Sequence, residues 1–354
     1  MEERIVVLGL MSGSSLDGVD LALCEFTGCD FKTWKILKGQ TKEYPDELFN
    51  TLFNAQNLSA KEFVILDTAI ANFYAQIINE FLSTENEKPQ FISSHGHTLF
   101  HDISNKITSQ IGSGAAISAL TNLPVVCDFR RNDVALNGQG APLVPIGDRD
   151  LFSEYDVCIN LGGIINITYK GINDKTYAYD ICAGNQVLNY FSRKKDLDYD
   201  SEGQLAANGL PIFELLEKLN QLEFLDEAPP KSLDKFWIHE QVIPLLQSYN
   251  KPIEDILCTT CHHIALQISK NLPKHIKNPN ILLSGGGTLN TYLVGLIKNY
   301  CKGNIYIPNE DIINFKEALI FAYLGLLRWQ NKINTIPEVT GASRASCSGA
   351  IYFP

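Results

Sequence analysis

Twice in this chain a strand-like run meets a glycine-tipped turn and returns as a second strand-like run. The first pair is Ile5–Leu10 and Leu21–Phe26, joined by a turn containing Gly13 and Gly18. The second is Asp156–Leu161 and Ile164–Tyr169, joined by Gly162-Gly163. Each hairpin opens a stretch in which further strands alternate with helical patterns. Strand-like runs recur at Phe91–Ser94, Pro124–Cys127, Thr176–Asp180 and Ile281–Ser284. Helical periodicity runs through Phe63–Phe81, Ala115–Thr121, Gln186–Phe191, Ile212–Leu219, Ile253–Leu272 and Lys316–Trp329. Alternation of this kind predicts an α/β fold, and the opening hairpins make its sheets mixed rather than all parallel. At 354 residues the chain exceeds one small core. Two related lobes with a cleft between them are expected.

The first turn reads Leu-Met-Ser-Gly-Ser-Ser-Leu-Asp-Gly-Val-Asp from Leu10 to Asp20. Gly13 and Gly18 let backbone approach a phosphate closely. Backbone N–H groups and the hydroxyls of Ser12, Ser14 and Ser15 can donate to its oxygens. Asp17 or Asp20 can hold a magnesium ion, directly or through water. A plain polar hairpin turn is the competing reading. A third glycine turn, Gly285-Gly286-Gly287, follows the strand Ile281–Ser284 and precedes another expected helix, so a flat group can lie against its backbone. Three such turns in one two-lobed chain favour a nucleotide.

Transfer of a phosphoryl group also needs a base near the acceptor oxygen. In Tyr179-Asp180-Ile181-Cys182-Ala183-Gly184-Asn185, a carboxylate ends a strand, with a glycine turn and a helix after it. Asp180 is then a candidate base or, alternatively, a helix N-cap. Ser94-His95-Gly96-His97-Thr98 is expected to be a polar substrate-lining loop rather than a metal site. Arg130 or Arg131, in the charged run Asp128–Asp133, can clamp an anion with paired donors. Asn86–Gln90, Leu136–Pro145 and Glu227–Lys231 are candidate linkers, the second placed where the first lobe should end.

A net charge of −11 argues against a broad grip on nucleic acid or an anionic membrane. No stretch approaches the ~20 apolar residues of a membrane span. Met1-Glu2-Glu3-Arg4 is too acidic a flank, before too short an apolar run, for a signal peptide. With nine cysteines, an odd number, the expectation is reduced thiols in a cytoplasmic protein. Cys258-Thr259-Thr260-Cys261-His262 has the spacing of a haem attachment or half a zinc site. Leu257, Cys261, Ile264 and Ile268, however, share one helical face, which favours a packed helix.

Together these motifs resemble the anhydro-N-acetylmuramic acid kinases, within the sugar kinase, actin and Hsp70-like group. The resemblance runs nearly end to end. It is carried by Met11–Asp20, Ser94–Thr98, Gln110–Gly114, Asp128-Phe129-Arg130, Gly138–Pro145 and Asn160–Ile164. It continues through Pro229-Pro230-Lys231-Ser232, Gly285–Gly287 and Val339–Ala342. It implies two ribonuclease-H-like lobes, the first spanning 1–135 with 325–354 packing back on it, the second spanning 136–324. It implies ATP and Mg2+ as cofactors and ATP-binding by Gly13, Ser14, Ser15, Leu16, Asp17, Gly18, Val19 and Asp20. Gly162, Gly163, Gly285, Gly286 and Gly287 join that set.

The implied base is Asp180, with a sugar bound by His95, His97, Arg130, Gln139 and Asn185. The implied reaction opens 1,6-anhydro-N-acetylmuramic acid with water and phosphorylates O6 during cell-wall recycling, in a homodimer. Several positions depart from the family pattern. Ile181-Cys182-Ala183 replaces Thr-Gly-Pro, His97 replaces Gln, Ser113 replaces Asp, and Leu233-Asp234-Lys235-Phe236 replaces Thr-Gly-Arg-Glu. Two alternatives therefore stand beside the main reading. One is a kinase of the same fold acting on another anhydro-sugar; the other is a non-catalytic, nucleotide-binding, actin-like protein. The retained Asp180 and Gln139-Gly140-Ala141-Pro142 weigh against the second.

Overall fold

The computed structural model describes residues 3–13 and 16–354, apart from the Asn173 side chain. The chain divides into two compact units. One comprises Met1–Leu151 with Asn314–Pro354, the other Phe152–Ile313.

The first unit is built on a seven-stranded sheet. Strands β1 (Arg4–Ser12), β2 (Val19–Thr27) and β3 (Thr33–Lys42) form an antiparallel meander. β4 (Phe91–Asp102) lies parallel to β1, and β6 (Val125–Cys127) parallel to β4. β5 (Ile107–Ile111) pairs antiparallel with the far half of β4. The second unit repeats the plan with five strands. β7 (Val157–Leu161), β8 (Ile164–Lys170) and β9 (Thr176–Ala183) form the meander. β10 (Asn280–Ser284) is parallel to β7, and β11 (Asn304–Tyr306) to β10. The spatial orders 3-2-1-4-6 and 9-8-7-10-11 are one topology used twice, the ribonuclease-H-like arrangement. β12 (Ala350–Tyr352) closes the first sheet antiparallel to β6.

Both opening strands are buried through most of their length, as central strands covered on both faces must be. Helix α1 (Ala60–Ser83) begins at a capping box, in which Ser59 accepts from the Glu62 N–H and Glu62 reaches back to the Ser59 N–H. α2 (Gly114–Thr121), α3 (Asn185–Ser192), α4 (Ile253–Asn271), α5 (Thr291–Tyr300) and α6 (Glu310–Trp329) follow. α6 lies so close to β1 that a Cβ on Gly9 would stand 2.0 Å from the Ala318 carbonyl oxygen. In α4, Leu257, Cys261, Ile264 and Ile268 are wholly buried in the second unit's core, and burial pushes the Cys261 thiol far up.

Several sequence expectations change. Residues 94–101 are not a loop. They continue β4, because β5 supplies hydrogen-bonded partners from His97 to Asp102. β3 gave no alternating pattern because it is the half-exposed edge of its sheet. α6 starts six residues before Lys316. The chain passes between units at Leu151/Phe152 and Ile313/Asn314 rather than at 135/136 and 324/325. Leu136–Pro145 is a loop within the first unit, not a connection out of it. Its backbone is fastened there, with Gln139 N donating to Thr340 O (2.8 Å) and Ser343 N donating to Leu136 O (2.9 Å).

Candidate active site

In the first unit β1 and β2 pair antiparallel up to Ser12 and Val19, and Gly13, Leu16, Asp17 and Gly18 lie between them. Ser14 and Ser15 lie outside the described residues. Leu16 holds a positive φ of 62° and its N–H donates to Gly13 O at 3.3 Å. Gly18, at φ 142°, leaves only 2.8 Å between a would-be Cβ and Lys42 O. Val19 is buried and pairs with Ser12 and Lys42. Ser12 was expected to donate to a phosphate. It is instead buried, with its Oγ bonded to Tyr44 OH (2.6 Å) and His97 Nδ1 (2.9 Å), so it fastens the base of the turn. The tyrosine is bonded in turn to Tyr74 OH at 3.0 Å.

Asp17 is exposed and Asp20 half-buried. Thr41 Oγ1 donates to Asp20 Oδ1 at 2.6 Å. Burial raises the Asp20 carboxyl, Thr41 opposes that, and the Asp17 charge adds to it. Glu317 on α6 is raised by burial and by Asp20, and lowered by Lys316 and Arg130. Among the described residues no group of three or more candidate metal ligands occurs, so a magnesium ion here would rest on one or two carboxylates such as Asp17 or Asp20 and complete its shell with phosphate and water.

His95 and Arg130 form one unit. Arg130 donates from Nε (3.0 Å) and NH2 (2.9 Å) to His95 Nε2, and from NH1 to Gly140 O (2.7 Å). His95 Nδ1 lies 2.9 Å from Gly96 O, so it carries the proton and leaves Nε2 as acceptor. Burial, then the Arg130 charge, hold His95 neutral, well below the usual histidine range. Burial lowers the Arg130 guanidinium to about 10. Arg131 is exposed and pairs loosely with Asp128 at 3.5 Å. Of the two arginines, only Arg130 is held in place.

Asp133 was missed as a site-building residue, although it closes the charged run that contains Arg130. It is fully buried and accepts from Gly140 N and from Thr340 Oγ1, both at 2.8 Å. Its carboxylate ties the Gly138–Pro142 loop to Val339–Ala342, two motifs 200 residues apart in sequence. Gln139 itself is exposed. Asp133→Ala leaves two buried donors without an acceptor, at about 1–3 kcal/mol each. The expected result in urea unfolding is a lower midpoint with an unchanged slope, and an unmoved midpoint would show the carboxylate to be idle.

The second unit gathers the other residues. The Gly162-Gly163 turn is stitched to the start of α3. Gly184 N donates to Gly163 O and Asn185 N to Gly162 O, both at 2.9 Å, and Asn185 Nδ2 donates to Leu161 O at 3.0 Å. The Gly285–Gly287 turn packs on the same place. A Cβ on Gly285 would stand 2.3 Å from Asn160 Oδ1, and one on Gly287 would stand 2.7 Å from Leu161 O. Gly286 faces open space. Gly162, Gly163, Asn185 and Gly285–Gly287 therefore converge at the carboxyl ends of β7 and β10.

Asp180 does not cap α3, whose N-cap is Gly184. Nor does it end β9. A bulge after Asp180 carries the strand on to Ala183. Its Oδ2 accepts from Leu233 N (2.8 Å) and Ser232 Oγ (3.2 Å). Burial raises its carboxyl above the usual range against these two bonds. A carboxylate so poised can accept a proton.

The family model for anhydro-N-acetylmuramic acid kinase matches residues 5–354. Proteins named anhydro-N-acetylmuramic acid kinase from Rippkaea orientalis, Francisella tularensis subsp. novicida and Vibrio vulnificus are 34%, 33% and 31% identical. The alignments cover 98%, 100% and 99% of this chain and 99%, 100% and 99% of those proteins. The chain belongs to the anhydro-N-acetylmuramic acid kinase family. It is an enzyme, a kinase that uses a nucleotide and acts on a small molecule. No helix among the described residues is long and apolar enough to cross a membrane.

Seen as an anhydro-N-acetylmuramic acid kinase, the chain's departures from the family pattern fall mostly on structural positions. Ile181, Cys182 and Ala183 lie in the second unit's core. Ser113 is the N-cap of α2, accepting from Ala116 N, a task serine and aspartate share. His97 bonds Ser12. Leu233 is buried and meets Asp180 through its backbone, while Asp234 caps the turn that follows by accepting from Trp237 N.

Proposed function

We propose that this kinase uses ATP to open 1,6-anhydro-N-acetylmuramic acid and to phosphorylate O6, giving N-acetylmuramic acid 6-phosphate in cell-wall recycling. The single observation that carries the reading is Asp180, a half-buried carboxylate with two donors on one oxygen and a raised pKa. Asp180 takes a proton from water as the water oxygen bonds to C1. The C1–O6 bond breaks with its electron pair left on O6. O6 then attacks the γ-phosphorus and ADP leaves, and Asp180 returns its proton to solvent.

The Gly13–Asp20 turn and the two glycine turns of the second unit hold the nucleotide in this reading, with Asp17 or Asp20 holding Mg2+. The metal supplies charge neutralisation on the phosphates. His95 and Arg130 bind the sugar, together with His97, Gln139 and Asn185. The protein is a cytoplasmic homodimer that binds no nucleic acid. Coupled ADP release with 1,6-anhydro-N-acetylmuramic acid is the test. Sugar-dependent release together with a 6-phosphate product supports the reading. ATP binding without turnover on this sugar overturns it, in favour of another anhydro-sugar or a non-catalytic role.

A further inference from the structure

We infer that Lys231 is a positioning residue for Asp180, acting through the backbone segment that follows it. The inference rests on Asp180 being the base of the proposed reaction. The Lys231 side chain is buried, with the residue only 8% exposed, yet no carboxylate meets its ammonium within salt-bridge distance among the described residues. Nζ donates to Phe224 O and Leu225 O, both at 3.0 Å, in the short helix Glu223–Asp226. It also stands 4.6 Å from the centroid of the Phe224 ring. Three attachments thus hold one end of the segment.

From that anchor the chain runs directly to Asp180. Lys231 O accepts from Asp180 N at 3.1 Å. The next two residues supply both donors to Oδ2, the Ser232 hydroxyl and the Leu233 N–H. The strand β9 carries the base, and the 231–233 segment aims its carboxylate. Aim of this kind has large kinetic consequences, because small displacements of a reacting group cost up to about 100-fold in rate. The ammonium does not act on Asp180 as a charge; the two donors do. The titratable groups nearby are Cys182 on β9 and Lys231 itself, with Asp226 and Glu227 facing the ammonium.

The test compares Lys231→Met, Lys231→Arg and Ser232→Ala with the unaltered enzyme. Lys231→Met keeps the length and loses the three attachments. Its kcat should fall about 10- to 100-fold with KM for the sugar changed less than about threefold. The acid limb of its pH profile should move upward, because donors to the ionised carboxylate favour that form and are loosened. Lys231→Arg keeps donors for the carbonyls and should restore most of the rate. Ser232→Ala removes one donor without touching the anchor, so its acid limb should move the same way by less. This variant decides the matter if Lys231→Met fails to fold.

A carboxyl-carbon NMR titration of Asp180, assigned with Asp180→Asn, reads the same shift without turnover. An unmoved titration and kcat within about twofold in folded Lys231→Met overturn the inference. If Lys231→Met is unfolded, an unmoved acid limb in Ser232→Ala does so. If the unaltered enzyme fails to turn over the sugar while the titration shifts in Lys231→Met, the positioning role stands and the substrate reading fails.

Discussion

Asp180→Asn should bind ATP and the anhydro-sugar normally and lose about a thousandfold in kcat. The amide is close in size and can still accept from Ser232 and Leu233 through its oxygen, so the segment around it is retained. What it cannot do is take a proton from water. The same residue sets the pH dependence of the unaltered enzyme. The base works only when ionised, and burial favours its protonated form. Activity must therefore fall as pH drops through a value above the ordinary aspartate range. Stopped assays across the acid range check this limb, and isothermal titration of each ligand checks binding. Near-normal turnover in the variant would remove Asp180 from the mechanism.

The second large effect is expected at adjacent glycines with opposite surroundings. Gly285 sits at φ 83°, and its Cβ would collide with Asn160 Oδ1 at 2.3 Å. Gly285→Ala should lower stability by about 2 kcal/mol, from the left-handed backbone and from the displaced asparagine together. Gly286 has nothing within 4 Å of its would-be Cβ. Gly286→Ala should leave the thermal midpoint alone and weaken ATP binding about tenfold, because the methyl projects into the surface on which the nucleotide is proposed to lie. Fluorescence titration with an ATP analogue separates the two. Full ATP affinity in Gly286→Ala would take the 285–287 turn out of the nucleotide site.

The strands and helices that line the two cores were legible because their burial writes itself into the sequence. β1, β7 and β10 are short apolar runs, and α4 places its apolar residues on one face. Edge strands left a weaker mark. β3 is half exposed along ten residues and carries lysines at 35, 38 and 42. The glycine turns were legible, since tight approach leaves few other residues possible.

Their partners were not. Nothing in the sequence around Tyr44 marks it as the residue that ties Ser12, and Asp133 looks like one more charge in a surface run. Both act through contacts with distant residues, which spacing along the chain cannot show. The motif departures were also ambiguous in sequence. Ile181-Cys182-Ala183 sits beside the candidate base, yet it faces the core, because the strand does not stop where the carboxylate suggested.

The first unit is assembled from both ends of the chain. β1 is synthesised well before its cover, since the helix that lies against Gly9 begins more than 300 residues later. The second unit is continuous and ends at Ile313, four residues into that helix, before the part that lies against Gly9 has been made. During synthesis, the first sheet must therefore wait with one apolar face uncovered and without its last strand, β12, while its neighbour has everything it needs to fold. Order of manufacture and order of completion are reversed for these two units, so the nascent first sheet is the one that stays longest with apolar surface exposed.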